Sequence, residues 1–127
     1  MTYYAVIDTN VLVSALLTSN DNAATVIIVN KLFTGEIIPI YSNKILNEYI
    51  EVLNRKKFNF SKPLINYFID AIKQFGILLN PSPKNILLND MKDVPFYEIV
   101  LERTDLTYLI TGNIKHFPKE KFVLTPR

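Results

Sequence analysis

Cysteine is absent from the 127-residue chain, which excludes disulfide bonds and thiolate metal sites. Only 3 glycines are present, and this indicates few tight loops and much regular secondary structure. No apolar run approaches the ~20 residues that are needed to cross a bilayer. The first four residues lack the basic segment and apolar core of a signal peptide. The sequence therefore predicts a soluble, cytoplasmic protein without a membrane partner.

Strong charge is also lacking. The net charge of +2 is too small to indicate nucleic-acid binding by itself. The hydrophobic content of 49% and the charged content of 20% are ordinary for a globular protein. The length suffices for one sizeable core, so we expect residues 1–127 to form a single domain.

Short apolar runs alternate with helical patterns along the chain, which is typical of an α/β domain with a parallel sheet. We predict a three-layer α/β/α fold with a central parallel sheet of four to five strands. The predicted strands are 3–7, 37–41, 77–79, 108–111 and 122–124, although Pro39 is awkward in a central strand. The predicted helices are 11–17, 22–33, one capped by Ser42, one that opens at 61–63 and ends at Gly76, and 95–103.

Apolar stripes at helical spacing define the expected core faces of the third and fourth helices. The stripe of the third helix consists of Ile45, Leu46, Tyr49, Ile50 and Leu53. That of the fourth helix consists of Leu64, Phe68, Ile72 and Phe75.

Asp8 directly follows the apolar run 3–7, which is typical of a strand buried on both faces. A charge beside a core is costly unless something compensates it. In open parallel sheets, ligands bind at the carboxyl ends of strands. Asp8 is therefore a candidate ligand-binding residue, and its alternative role is to cap the next helix.

Two further acids are predicted at the same edge of the sheet. Glu48 lies in the first half of the third helix, where Glu51 is the competing choice. Asp93 precedes the penultimate helix, where Asp90 is the competing choice and capping is the alternative role. Clustered carboxylates repel one another unless a cation lies between them, and oxygen-only ligands suit Mg²⁺ or Mn²⁺.

Four segments of the chain resemble those of PIN domains, most closely the VapC-like toxins of prokaryotic toxin–antitoxin systems. Their order and spacing span nearly the whole chain. The segments are VIDTNVLVSA at 6–15, ILNEY at 45–49, DMKDVPF at 90–96 and YLITGNIKHFP at 108–118. The resemblance implies a metal-dependent endoribonuclease in which Asp8, Glu48 and Asp93 hold Mg²⁺ or Mn²⁺. Hydrolysis of RNA would leave a 5′-phosphate and a 3′-hydroxyl.

Other site residues also follow from this resemblance. The hydroxyl near the family's active site matches Thr111, or else Thr9, and Asn10 is expected to orient the acids. Many members have a fourth acid in a Thr-Gly-Asp turn, where this chain has Asn113. The neutral amide is a weaker ligand and puts a second metal ion in doubt. The resemblance further implies an RNA substrate, a cognate antitoxin protein and a homodimer.

Two other functions compete with the nuclease. Asn113 favours a degenerate PIN domain that binds RNA or protein without catalysis. A phospho-acceptor signalling domain also has clustered acids, but it needs an acceptor Asp at the end of a mid-chain strand. Tyr41 and Asn80 stand at those ends here. His116, the only histidine, precedes Phe117-Pro118 and is expected to be structural.

Overall fold

A computed structural model describes residues 2–84, 86–88, 90–103 and 107–126. Within them, five strands form one parallel sheet in the order β3-β2-β1-β4-β5. The strands are β1 (Tyr3–Ile7), β2 (Ile37–Tyr41), β3 (Ile77–Leu78), β4 (Thr107–Ile110) and β5 (Val123–Leu124). The helices are α1 (Thr9–Leu17), α2 (Ala24–Thr34), α3 (Asn43–Leu53), α4 (Lys62–Phe75) and α5 (Val94–Glu102). This arrangement confirms the predicted α/β fold with helices flanking a central parallel sheet.

The direction in which the chain builds the sheet reverses at β1. The chain adds β2 and then β3 on one side of β1, and afterwards crosses to add β4 and β5 on the other side. In the register of β1 with β4, Ile7 lies beside Ile110, so the two strands end at the same level. Ligands of open α/β sheets bind outside the carboxyl ends of the strands at such a reversal. The fold therefore places Asp8 at the position where a ligand is expected.

The helix boundaries follow from local chemistry. The hydroxyl of Ser42 accepts a hydrogen bond from the amide of Ile45 at 3.1 Å, which confirms the predicted cap of α3. The hydroxyl of Ser61 caps α4 in the same way. Gly35 ends α2 in the left-handed conformation, with φ of 84°, which glycine adopts without steric cost. Among the described residues, no helix is both long and apolar enough to span a bilayer.

The predicted apolar face of α4 was partly wrong. Leu64 is 39% exposed and Phe75 is 45% exposed. The buried face instead carries Ile65, Phe68, Ile69 and Ile72. The buried face of α4 is rotated relative to the predicted face because the helix packs against both α2 and α3. Ile50, assigned to the stripe of α3, is likewise exposed at the surface.

Gly76 follows α4 where the chain passes closest to β2. Its backbone is extended, so conformational freedom does not explain the glycine. A Cβ atom at this position would lie 2.6 Å from the carbonyl oxygen of Ile72 and 2.7 Å from that of Pro39. Pro39 itself occupies β2 beside Ala5 of β1. The sheet therefore accommodates the proline, and the glycine lets β3 approach it.

Gly76→Ala is expected to destabilise the protein by about 2 kcal/mol, because backbone atoms must move to admit the added methyl group. Gly35→Ala is the matched control. Its Cβ atom would meet nothing within 4 Å, so it should cost only the ~1 kcal/mol of the left-handed backbone. Urea denaturation of both variants measures the difference in the free energy of unfolding. If both variants lost the same free energy of unfolding, the close approach of backbone atoms at Gly76 would be contradicted.

Candidate active site

Asp8 lies at the carboxyl end of β1 and is only 5% exposed. Its Oδ2 atom accepts a hydrogen bond from the hydroxyl of Thr111 at 2.7 Å and another from the side-chain amide of Asn10 at 3.3 Å. Asp8 also occupies the residue position before α1, but its side chain makes no capping hydrogen bond. Capping therefore does not account for this buried carboxylate, and its partners come from the end of β4 and the start of α1.

Glu48 and Tyr49, which are consecutive residues of α3, form hydrogen bonds with residues on either side of Asp8. The hydroxyl of Thr9 donates a hydrogen bond to Oε2 of Glu48. The hydroxyl of Tyr49, which is fully buried, donates to the carbonyl oxygen of Ile7. Glu51, the competing choice, is exposed and lies 3.2 Å from the guanidinium of Arg55. The structure therefore brings Glu48, rather than Glu51, next to the Asp8 segment.

Asp93 ends the 3-10 turn Met91–Asp93 that precedes α5, whereas Asp90 caps the start of that turn, and the two acids make different contacts. Asp90 is exposed, and its side chain accepts a hydrogen bond from the amide of Lys92 at 3.0 Å. The side chain of Asp93 is only 13% exposed, and its Oδ2 atom lies 3.1 Å from Nδ1 of His116. Asp90 thus serves the turn, whereas Asp93 faces the segment that follows β4.

His116 contacts Asp93, and the sequence analysis did not predict this contact. It lies on a short 3-10 turn, Ile114–His116, that begins right after Asn113. The only available signal was its place in the TGNIKHF segment, a few residues beyond the end of β4. That signal is weak, because the sequence does not show which acid the imidazole meets.

Thr111 and the residues after it form a small hydrogen-bonded network around Asp8. The hydroxyl of Thr111, which is fully buried, accepts a hydrogen bond from the amide of Asn113 at 3.0 Å. The side-chain oxygen of Asn10 accepts one from the amide of Gly112, also at 3.0 Å. Asn113 is exposed, and within the described residues no hydrogen bond joins its side chain to the three acids. Thr9 and Thr111, the two candidate hydroxyls, are both in place, each on a different acid.

The three acids influence one another's ionisation. Burial raises the pKa of Asp8, and the negative charge of Asp93 raises it further, against the opposing hydrogen bond from Thr111. Burial also raises the pKa of Glu48, to which the charge of Asp8 adds. Burial raises the pKa of Asp93 as well, with a contribution from Glu48. In each case the environment disfavours the charged form, and in the described chain no Lys or Arg side chain forms an ion pair with these acids.

A cleft of about 680 Å³ opens beside the acids. Its lining includes Thr9, Glu48 and Asp93, together with residues farther along α1 and α3. This volume lies within the range of about 300–1,000 Å³ that is typical of ligand pockets. Asp8 lies behind this lining, so the polar end of the cleft is backed by the buried carboxylate.

The donor chemistry of this edge fits a hard divalent cation. Asp8, Glu48 and Asp93 offer carboxylate oxygens, and Mg²⁺ and Mn²⁺ prefer such ligands. However, nowhere in the part of the chain that the structure describes do three Asp, Glu, His or Cys side chains already stand in metal-binding geometry. A bound cation would therefore require the carboxylates to lie closer together than they do here.

The residues described above lie in a region that is similar to a known protein family. A family model described as PIN domain matches residues 4–115. The match includes the three acids, Thr111 and Asn113. No curated protein matches the chain.

Asp8→Asn is expected to stabilise the metal-free protein at neutral pH. Since burial raises the pKa of Asp8 above its ordinary value of 3.8, the protonated form favours folding. Its contribution to stability is complete below the unfolded-state pKa and is lost as the pH rises through the folded-state pKa. The asparagine stays neutral and keeps an oxygen that accepts the Thr111 hydrogen bond. The advantage of the variant should therefore grow as the pH rises above the ordinary pKa of 3.8.

Thermal unfolding in EDTA at several pH values measures this effect. Each kcal/mol should shift the midpoint by roughly 4 °C in a domain of this size. The control is Asp70→Asn, which changes an exposed carboxylate on α4. If Asp8→Asn raises the unfolding midpoint no more than Asp70→Asn does, or if its effect shrinks as the pH rises, burial does not destabilise the charged form of Asp8.

Proposed function

Because the chain belongs to the PIN-domain family, we propose that it is a Mg²⁺- or Mn²⁺-dependent endoribonuclease that hydrolyses phosphodiester bonds of RNA. One observation carries this proposal: acids from three distant segments lie near the reversal point of the sheet, close enough that the charge of each raises the pKa of another. Such an arrangement costs stability, and it is useful where a cation and a phosphate are to be bound.

Each proposed metal ligand has its own positioning partner. Thr111 and Asn10 hold Asp8, Thr9 holds Glu48, and His116 lies against Asp93. When bound, a divalent cation supplies a water of lowered pKa and offsets charge on the phosphate. The hydrogen-bonding partners fix the orientation of the carboxylates, as outer-shell residues do at other metal sites.

Asn113 takes no proton in this proposal, because an amide is not a base. We place it at the rim of the site, where it is exposed and its backbone amide binds Thr111. The amide oxygen could serve only as a weak, neutral ligand. We therefore propose that a single tightly held ion is sufficient, with the substrate phosphate completing its coordination.

The test is cleavage of a mixed RNA pool with Mn²⁺ or with EDTA. We expect cleavage only with the metal. Asp8→Asn, Glu48→Gln and Asp93→Asn should each reduce it at least ~100-fold, because even outer-shell partners of metal ligands contribute about 10–100-fold. Asp70→Asn, the exposed control on α4, should cleave like the natural protein. Equal cleavage by Asp8→Asn and the natural protein would point to a contaminating nuclease and refute the assignment.

A non-catalytic binding module is the second candidate, and two observations favour it. Asn113 replaces the fourth acid of many family members, and the described acids are not yet in metal-binding geometry. The same experiment separates the two functions. Retention of RNA without metal-dependent cleavage would support the binding module.

We further propose that the protein is the toxin of a prokaryotic toxin–antitoxin pair and acts in the cytoplasm. The support is the resemblance of its four segments to those of the toxin branch. Its expression in a bacterial host should then arrest growth, whereas Asp8→Asn at an equal protein level should not. Co-expression of a small protein encoded beside it should relieve the arrest. Arrest by both forms would contradict a toxin role that depends on the nuclease site.

We also propose a single-domain protomer that forms a homodimer. The sheet takes strands from both ends of the chain, which supports one domain. An apolar hollow of about 430 Å³ on the sheet, lined by Tyr3, Tyr108 and Leu124 among others, supports the dimer. Tyr3 is 46% exposed and Leu124 is 39% exposed, so this face has apolar surface for a partner to cover.

A further inference from the structure

The cleft is a groove between α1 and α3 that extends well beyond the acids. Thr9, Val13 and Leu17 line it from α1 at intervals of four residues, which places them on one face of the helix. From Thr9 to Leu17 this face is about 12 Å long, at 1.5 Å per residue. In duplex DNA, neighbouring phosphates of one strand are about 3.4 Å apart along the helix axis, and a strand extended to about twice that spacing would still place a second phosphate within this length. The groove can therefore hold more of a strand than the phosphate at the acids.

The end of the groove farther from the acids differs from the acidic end in its chemistry. Its apolar wall consists of Val13, Leu17, Val52 and Phe58. The ring of Phe58 is stacked on that of Phe60, with centroids 5.7 Å apart and an angle of 17° between the planes. Phe58 is also half-buried. The ammonium of Lys57 lies over the same ring, 5.1 Å from its centroid. Phe58 is therefore held in place, and it presents to the groove a fixed aromatic surface beside a positive charge.

Arg55 supplies positive charge at this end. It lines the groove two residues past the end of α3, and its side chain is 41% exposed. Glu51 holds its guanidinium at 3.2 Å, which limits the positions that the charge takes. The groove thus combines carboxylates at one end with an aromatic ring and a guanidinium at the other. This combination suits a molecule that alternates phosphates with flat apolar rings.

We propose that Phe58 and Arg55 form a subsite for the nucleotide next to the one cleaved, with the base against Phe58 and a phosphate on Arg55. The proposal rests on the proposed ribonuclease function. The ligand is single-stranded RNA, because the face of a base is free to contact an aromatic ring only when the base is unstacked. Phe58 and Arg55 are thus specificity-determining residues for unpaired substrate.

The test compares Phe58→Leu and Arg55→Gln with the natural protein. Each should raise KM at least ~5-fold on a single-stranded oligonucleotide, the lower end of what one lost base stack costs, with little change in kcat. Phe58→Tyr keeps the ring and should restore KM. The matched control is Lys56→Gln, which removes one charge from an exposed neighbour that does not line the groove. Thermal unfolding of every variant shows whether it is folded.

Binding in EDTA, in the Asp8→Asn background, gives a readout that is independent of cleavage. Fluorescence anisotropy with a labelled single strand should show weaker binding for Phe58→Leu and Arg55→Gln but not for Lys56→Gln. A perfect duplex of the same sequence should bind more weakly than the single strand. Equal binding of duplex and single strand would overturn the proposal.

The outcomes also separate this subsite from the nuclease assignment. If Phe58→Leu cleaves with an unchanged KM, the subsite is refuted and the nuclease stands. If the natural protein never cleaves but loses RNA binding in EDTA on Phe58→Leu, the nuclease is refuted, and Phe58 and Arg55 stand only as a subsite that binds unpaired RNA. If the substitution weakens only a complex with a neighbouring-gene protein and leaves RNA binding intact, the groove serves a protein and the subsite is refuted.

Discussion

The pairing of β1 with β4 is the constraint on which the site depends. These strands come from opposite ends of the chain, yet their register places Ile7 beside Ile110, and Asp8 then meets Thr111 directly. The amide of Asp8 also donates to the carbonyl oxygen of Ile110 at 2.9 Å, which continues the ladder by one residue. A slip of one residue would reverse the faces on which these side chains lie. The backbone register of two buried strands therefore determines whether the carboxylate has its partner.

Electrostatics explains why this edge needs so many hydrogen bonds. A buried carboxylate loses its hydration and regains part of the loss through donors. Thr111, Thr9 and Asn10 supply donors, but they do not neutralise the charge, so the pKa values of Asp8 and Glu48 are both raised. A structure selected only for stability would place an apolar residue or a salt bridge there. The unpaired charge is thus a cost to the fold, and a bound cation is the simplest species that would offset it.

The sequence predicts the fold well because the fold depends on backbone rules, and the expected placement of the acids at one edge of the sheet follows from the same rules. Hydroxyl caps at Ser42 and Ser61 fix where α3 and α4 begin, and apolar runs fix the strands. The choice between Glu48 and Glu51 required more, because both lie on the same helix one turn apart. In the structure, Glu48 accepts a hydrogen bond from Thr9, whereas Glu51 forms an ion pair with Arg55. Partners so distant in the chain leave no periodic signal in the local sequence.

The features that the sequence did not predict depend on how elements pack against each other. The rotation of α4, which buries Ile65 and Ile69 instead of Leu64, follows from its two helical neighbours. The contact of His116 with Asp93 joins the turn after β4 to the start of α5, and neither turn has a regular pattern. The groove likewise exists only because α1 and α3 both begin at the carboxyl edge of the sheet and run side by side from it. Its acidic end follows from strand positions, whereas its aromatic end depends on where the chain turns after α3. Under the proposed function, chemistry and substrate choice would therefore be encoded in different parts of the fold, and the second could change without disturbing the first.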